Sequence, residues 1–363
     1  MPWKKELQHS LATIEELEKI IELSENDVSQ MEQILERFPM LVTPHYLNRI
    51  DFSREDDPVK KIALPCLEES DLSGSFDTSG EHDNTVIQGL QHKYHETALL
   101  LSTSLCATYC RHCFRKRLVG IHDDDSLKDL EAARAYISAH SEIKNVLISG
   151  GDALMNPNKR LRDILEILVN IDHLDYLRIA SRTPVTLPSR ITEDTELLDM
   201  LEYYGKKKKI YVITQFNHAN ELAPESQAAI EAFLTRGIPV RNQAVLLRGV
   251  NDTPEDLSNL LSGLISCGAE PYYVFQCRPV SGVKTHFQVP LREGFEIVEA
   301  AKGMQSGLSK AFRYCMSHVE GKLEILGVAE NKEMLFKYHE AKDRSKLGTI
   351  FSKNISSTQA WLD

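Results

Sequence analysis

The chain reads as an α/β protein built on a partial (β/α)6 barrel of the TIM-like kind, preceded by a helical extension. Three observations carry this reading. Beyond residue 93, short apolar runs alternate with amphipathic segments six times. Each run ends in a compact polar or glycine-containing motif, as expected of barrel strands, whose C-terminal ends collect the chemistry. Residues 1–92 lack this alternation and repeat apolar residues at helical spacing instead. The expected units are a helical extension and loop (1–92), the barrel core (93–285) and a C-terminal segment with its tail (286–363).

In the extension, Leu11, Ile14, Leu17 and Ile21 mark one helix, and Val28, Met31, Ile34, Leu35 and Phe38 a second. Ser24 and Asn26 between them are candidate turn and cap residues. Pro39 ends the second helix and Pro44 keeps it from resuming. The stretch 69–85, with Gly74 and Gly80, has no period and reads as a long loop. Candidate strands follow at 98–101, 145–149, 177–181, 210–214, 239–247 and 271–276, with helices at 161–171, 195–203, 224–236 and 254–266.

Composition bounds the partners. Among 363 residues, 42% are hydrophobic and 26% charged, enough for a real core. A net charge of −11 argues against nucleic acid or an anionic membrane. No run approaches the roughly 20 apolar residues of a membrane helix. The first ten residues are charged and lack the apolar stretch of a signal peptide, so a cytoplasmic location is expected. The seven cysteines form no disulfide framework. The short run Lys206 to Lys209 reads as a solvated loop.

The chemistry concentrates in "CATYCRHCFRKR", directly after the first barrel strand. Its thiols, Cys106, Cys110 and Cys113, can hold three corners of a cubic iron–sulfur cluster, leaving one iron open. Read from spacing alone, zinc with a fourth ligand from His112 or a distant cysteine is an alternative. Three buried structural cysteines are another, though the cationic neighbours speak against it. The other strand ends carry "SGGD", "SRTP", "QFNH", "NQAVLLRGVND" and "FQCRP".

Together these motifs, with "TPHYLNRID", "DPVKKIALP", "SGGDAL", "SRTPVTLPSRIT" and "FNHANE", resemble the radical S-adenosylmethionine superfamily and, more narrowly, its lysine 2,3-aminomutase family. The resemblance runs from about Thr43 to Lys322. It implies a [4Fe–4S] cluster on Cys106, Cys110 and Cys113, whose open iron binds S-adenosylmethionine. It further implies that Ser149, Gly150, Gly151 and Asp152 contact that cofactor, with His218 and Gln243 lining its remaining surface. For Gln243 a hydrogen-bonding role in the core is the alternative.

The family also uses pyridoxal phosphate, held through a lysine. The resemblance places Lys322, in "HVEGKLEILG", at that position, whereas alone it would read as a surface lysine before a strand. His318, Val319, Glu320 and Gly321 stand where the family has a run of glycines. Of two phosphate-contacting arginines, one matches Lys93, which offers a point charge, and the other matches Thr97. Arg115 matches the arginine that holds the substrate α-carboxylate, a bidentate task, while Lys116 and Arg117 read as solvated or structural.

The departures concern the substrate. Two aspartates that recognise the lysine ammonium in the family are here Arg278 and Cys315. A guanidinium repels lysine, so an anionic or neutral amino acid is expected; an arginine turned away and paired with an acid is the alternative. A family zinc ligand after "GVND" is Thr253, and no cysteine follows Cys315, so no structural zinc is expected.

The implied reaction is transfer of an α-amino group to the β-carbon of a free, small-molecule amino acid. Reducing electrons would come from a donor such as flavodoxin or ferredoxin, and assembly of several copies of the chain is compatible with the sequence. Two other functions stay open: modification of a protein lysine, as in the elongation-factor branch of the family, and an iron–sulfur redox or interaction protein on the same fold.

Overall fold

The computed structural model of the chain describes residues 2–121 and 125–362. Its strands form one sheet of twelve in sequential order. β1 (Thr85–Ile87), β2 (Leu90–Tyr94) and β3 (Thr97–Thr103) make an antiparallel edge. From β3 the sheet runs parallel through β4 (Asn145–Gly150), β5 (Tyr176–Ala180), β6 (Lys209–Thr214), β7 (Val240–Leu246), β8 (Ala269–Gln276) and β9 (Arg313–His318). β10 (Gly321–Val328), β11 (Met334–Ala341) and β12 (Ile350–Lys353) then return antiparallel. All six expected barrel strands are present. The sequence reading missed a seventh parallel strand, β9, and the antiparallel strands at both edges.

The crossovers follow ordinary helix chemistry. Asn158–Val169 buries Leu161, Ile164, Leu165 and Leu168 against the sheet, one stripe at helical period. Pro254–Ser266 starts with proline after a Thr253 cap, whose hydroxyl accepts from the Asp256 amide. Two further helices, Leu130–Ala139 and Leu291–Gly303, escaped the sequence reading. Lys206 and Lys207 lie in the last turn of Thr195–Lys207 rather than in a loop, where cations suit the helix dipole.

The extension is less regular than its periodicity suggests. Leu11 forms a β-bridge with Val42, so the first expected helix starts only at Ile14 and ends at Leu17. The second, Glu25–Arg37, is capped by Ser24 as expected. The irregular stretch closes with a turn of helix, Glu81–Asn84. Position 92 falls inside β2, and the sheet runs on across position 285. No helix among the described residues is long and apolar enough to cross a membrane.

Candidate active site

The cysteine loop is locked in place by charge. Glu69, fully buried, accepts from Arg111 at Nε (2.8 Å) and Nη2 (2.6 Å), and also from Lys116. Arg111 spends its remaining donors on the Phe38 and Pro39 carbonyls, and Lys116 donates to the Gly282 carbonyl at 2.8 Å. Burial works against the Glu69 carboxylate, but the two cations outweigh it and its pKa falls. Removing this one carboxylate strands two buried cations, a loss of about 3–5 kcal/mol. Lys116 is therefore structural, and burial lowers its pKa to about 8.

Two glycines let the tip of β4 meet this loop. A Cβ on Gly150 would collide with the Thr103 carbonyl, and one on Gly151 with that of Leu105. Gly150 also sits at φ +122°, which other residues avoid.

Above the strand ends lies a cavity of about 340 Å³. Cys106, Cys110 and Cys113 share one wall of it with Ser149, Gly150, Gly151 and Asp152. Burial raises all three thiol pKa values, Cys113 to about 11, and neighbouring sulfurs add to the effect at Cys106 and Cys113. Thiolates here need a positive group, which the irons of a bound cluster would supply. Among the described residues no three His, Cys, Asp or Glu side chains gather around a single ion position. His112 is held neutral by burial, its pKa lowered to about 3, and its Nε2 lies 3.4 Å from the Asn217 amide.

Arg182, from the "SRTP" motif, ties the cluster wall to the barrel. It donates to the Cys110 sulfur at 2.7 Å and to the Tyr46 hydroxyl at 2.8 Å, and pairs with buried Glu221. Asp152 uses both oxygens, accepting from Ser181 Oγ and the Leu154 amide on one and the Arg182 amide on the other. Gln243 faces the cavity, and its amide makes no hydrogen bond among the described residues. That leaves it available to a ligand rather than to the core.

The opposite wall carries the second group of expected residues. Lys322 is 8% exposed, donates to Glu340 at 3.0 Å and sits 4.5 Å from the centre of the Tyr273 ring. Register makes the pair, since Lys322 lies opposite Glu340 on adjacent strands. Lys93 donates to the carbonyls of His318 (2.6 Å) and Ser79 (3.1 Å) and has no acidic partner among the described residues. Burial, with Arg278 and Lys342, lowers its pKa to about 7. A buried amine in that state is suited to receive a phosphate. Thr97 also lines the cavity.

Between the walls, Arg115 and Arg278 both lie on the Phe114 ring, 4.6 and 4.2 Å from its centre. Arg115 donates to Glu81 (3.1 Å), to Ser149 Oγ (3.1 Å) and to the Gly150 carbonyl. Arg117 joins Glu81 at 2.8 Å. Burial disfavours the Glu81 charge, yet Arg115, Arg278 and Arg117 hold its pKa low. Arg278 donates to Ser317 Oγ at 3.0 Å and is bonded to no carboxylate among the described residues.

Two expected site residues stand apart. His218 does not line the cavity; it caps the short helix Ala219–Glu221, its Nδ1 accepting from the Asn220 amide, and its Nε2 faces Asp256. Cys315 is fully buried in β9 beneath the wall, which Ser317 reaches in its place. The sequence reading gave no role to Glu69, Glu81, Arg182, Glu221, Tyr273 or Glu340. Only Arg182 and Glu221 fell within quoted motifs.

No protein-family model matches the chain. Among curated relatives, L-lysine 2,3-aminomutase of Clostridium subterminale is 38% identical over 308 residues, 84% of this chain and 73% of that protein. A relative of that kind in Aquifex aeolicus is 38% identical over 355 residues, 97% of this chain and 94% of its own. Glutamate 2,3-aminomutase of Clostridioides difficile is 35% identical over 309 residues, covering 85% and 72%. A radical SAM methyltransferase from Sphaerobacter thermophilus superposes with a TM-score of 0.44 at 14% identity, over 62% of this chain and 68% of that one.

Proposed function

The chain belongs to the lysine 2,3-aminomutase family of radical S-adenosylmethionine enzymes, and from that premise we propose that it moves the α-amino group of an acidic amino acid to the β-carbon. The family's cofactors are a [4Fe–4S] cluster, S-adenosylmethionine and pyridoxal phosphate. When bound, they supply a carbon radical to take the β-hydrogen and an aldehyde to carry the migrating nitrogen.

The residues divide the work by wall. Cys106, Cys110 and Cys113 hold the cluster, with Arg182 fixing the Cys110 sulfur. Ser149, Gly150, Gly151 and Asp152 meet the methionine end of S-adenosylmethionine, and Gln243 lines its remaining surface. Lys322 offers the amine for pyridoxal phosphate, and Glu340 orients that amine through the hydrogen bond it accepts. Lys93 meets the phosphate. Arg115 is braced by Glu81 through Nε and by Ser149 through Nη1, which leaves Nη2 to meet the substrate α-carboxylate. Electrons arrive from a flavodoxin or ferredoxin.

Arg278 carries the substrate assignment: it is a half-buried guanidinium in the cavity wall whose hydrogen-bond partner among the described residues is a serine hydroxyl. A like charge about 4 Å away costs about 4 kcal/mol at an effective dielectric near 20. A quarter of that already disfavours lysine several-fold. A side-chain carboxylate gains a charge-assisted bond instead. Ser317 cannot offset this for an ammonium, and Cys315 lies out of reach.

The test is substrate-dependent 5′-deoxyadenosine formation by wild type and Arg278→Asp with glutamate and with lysine. Wild type is expected to favour glutamate and the variant to shift toward lysine by about tenfold or more. An unchanged ratio in the variant would mean that Arg278 plays no part in selection.

A further inference from the structure

Arg178 belongs to two chambers. It lines the large cavity, where its charge favours the Glu340 carboxylate. It also lines a second cavity of about 180 Å³ with Tyr176, Tyr211, Ile213, Arg241 and Tyr272. The strands explain the placement. Tyr176 opens β5, Tyr211 and Arg241 lie in the first halves of β6 and β7, and Ala180, Ile213 and Gln243 line the upper cavity farther along. The lower chamber thus occupies the N-terminal half of the barrel, an end that ordinarily serves stability rather than binding.

This chamber has donors without acceptors. Arg178 gives Nη2 to the Asn145 side-chain Oδ1 at 2.6 Å, but its Nε is buried with no partner among the described residues. Arg241 gives Nε to Glu270 at 3.0 Å, and its guanidinium lies 5.3 Å from the centres of both the Tyr211 and Tyr272 rings. Its terminal nitrogens, and the Tyr176 and Tyr211 hydroxyls, make no hydrogen bond among the described residues. Burial keeps the Tyr176 hydroxyl protonated and therefore able to donate. The nearby carboxylates are committed, Glu270 to Arg241 and Glu340 to Lys322. Of these donors the Arg178 Nε is the buried one, and it carries its full desolvation penalty until an acceptor arrives, whereas Arg241 is partly exposed at the rim.

We propose that the lower chamber binds a small oxyanion, a carboxylate or phosphate group, at a site separate from the substrate cavity. Arg178 and Arg241 supply the charge and a forked set of donors. The tyrosine rings give the remainder of such a molecule an apolar wall, and their hydroxyls complete the hydrogen bonding. The assignment does not depend on which amino acid the enzyme rearranges.

Calorimetric titration of the anaerobically reconstituted full chain tests it, with inorganic phosphate in one arm and acetate in the other. Chloride holds the ionic strength constant. A saturable site for one of the two anions is expected, and the arm that shows it identifies the group. Arg241→Gln, a change at the chamber rim, should weaken binding by about tenfold, the scale of one charge-assisted hydrogen bond. Tyr176→Phe should weaken it by less and leave the circular dichroism unchanged. Absence of saturable binding in both arms overturns the proposal. So does binding of wild-type strength in both variants, which would place the anion elsewhere.

Discussion

Cys110→Ala reduces the cleavage of S-adenosylmethionine by the dithionite-reduced protein to background, while the fold survives. The loop is held by the Glu69 pairs with Arg111 and Lys116 and by the backbone bond from Arg111 to Ile62, none of which involves the thiol. Arg182 loses one acceptor but keeps Glu221 and Tyr46. Cys106→Ala and Cys113→Ala should behave alike, because each thiolate holds a different iron. Iron analysis checks the cause: about four irons per chain in the wild type, and far fewer in the variants. Tight zinc with no iron uptake would contradict the cluster.

Lys322→Gln removes formation of the β-amino product but spares reductive cleavage of S-adenosylmethionine. The substitution separates the two walls of one cavity. Glutamine keeps a hydrogen bond to Glu340, so that the carboxylate is not left bare, but it cannot condense with an aldehyde. Borohydride reduction of the pyridoxal-loaded wild type, followed by peptide mapping, should find the label on Lys322. A label on another lysine would move the site, and none in fully loaded protein would remove the cofactor.

How far the sequence spoke depended on where each partner lies along the chain. The cysteines, Ser149 to Asp152, Gln243 and Lys322 sit in contiguous motifs at strand ends, and the parallel barrel brings those ends together. Glu340 was invisible, since only the β10–β11 register sets it against Lys322. Glu81 lies at the end of a stretch without period, and is fixed by Asp77, whose carboxylate accepts from the Glu81 and His82 amides. Glu69 lies 42 residues before its partner Arg111. His218 is the converse case: the resemblance, with its place at a strand end, implied a cofactor contact, and here its Nδ1 accepts from the Asn220 amide while Nε2 faces Asp256. Cys315 was counted into the pocket because it stands where the family has an aspartate, yet its side chain stays beneath the wall. The edge strands escaped because β9 to β12 lack the helix-strand alternation that marked the core.

Arg278 joins these observations to a substrate, and product analysis tests that link most directly. The reconstituted enzyme is supplied with reductant, S-adenosylmethionine and pyridoxal phosphate, then with glutamate, alanine or lysine in separate reactions. Glutamate suits the readout better than aspartate, in which the same migration returns aspartate. The expected result is a β-amino product from glutamate at a rate above that from lysine. Lysine converted as fast as glutamate or faster would contradict the account, as would cleavage of S-adenosylmethionine with no β-amino product from any of the three.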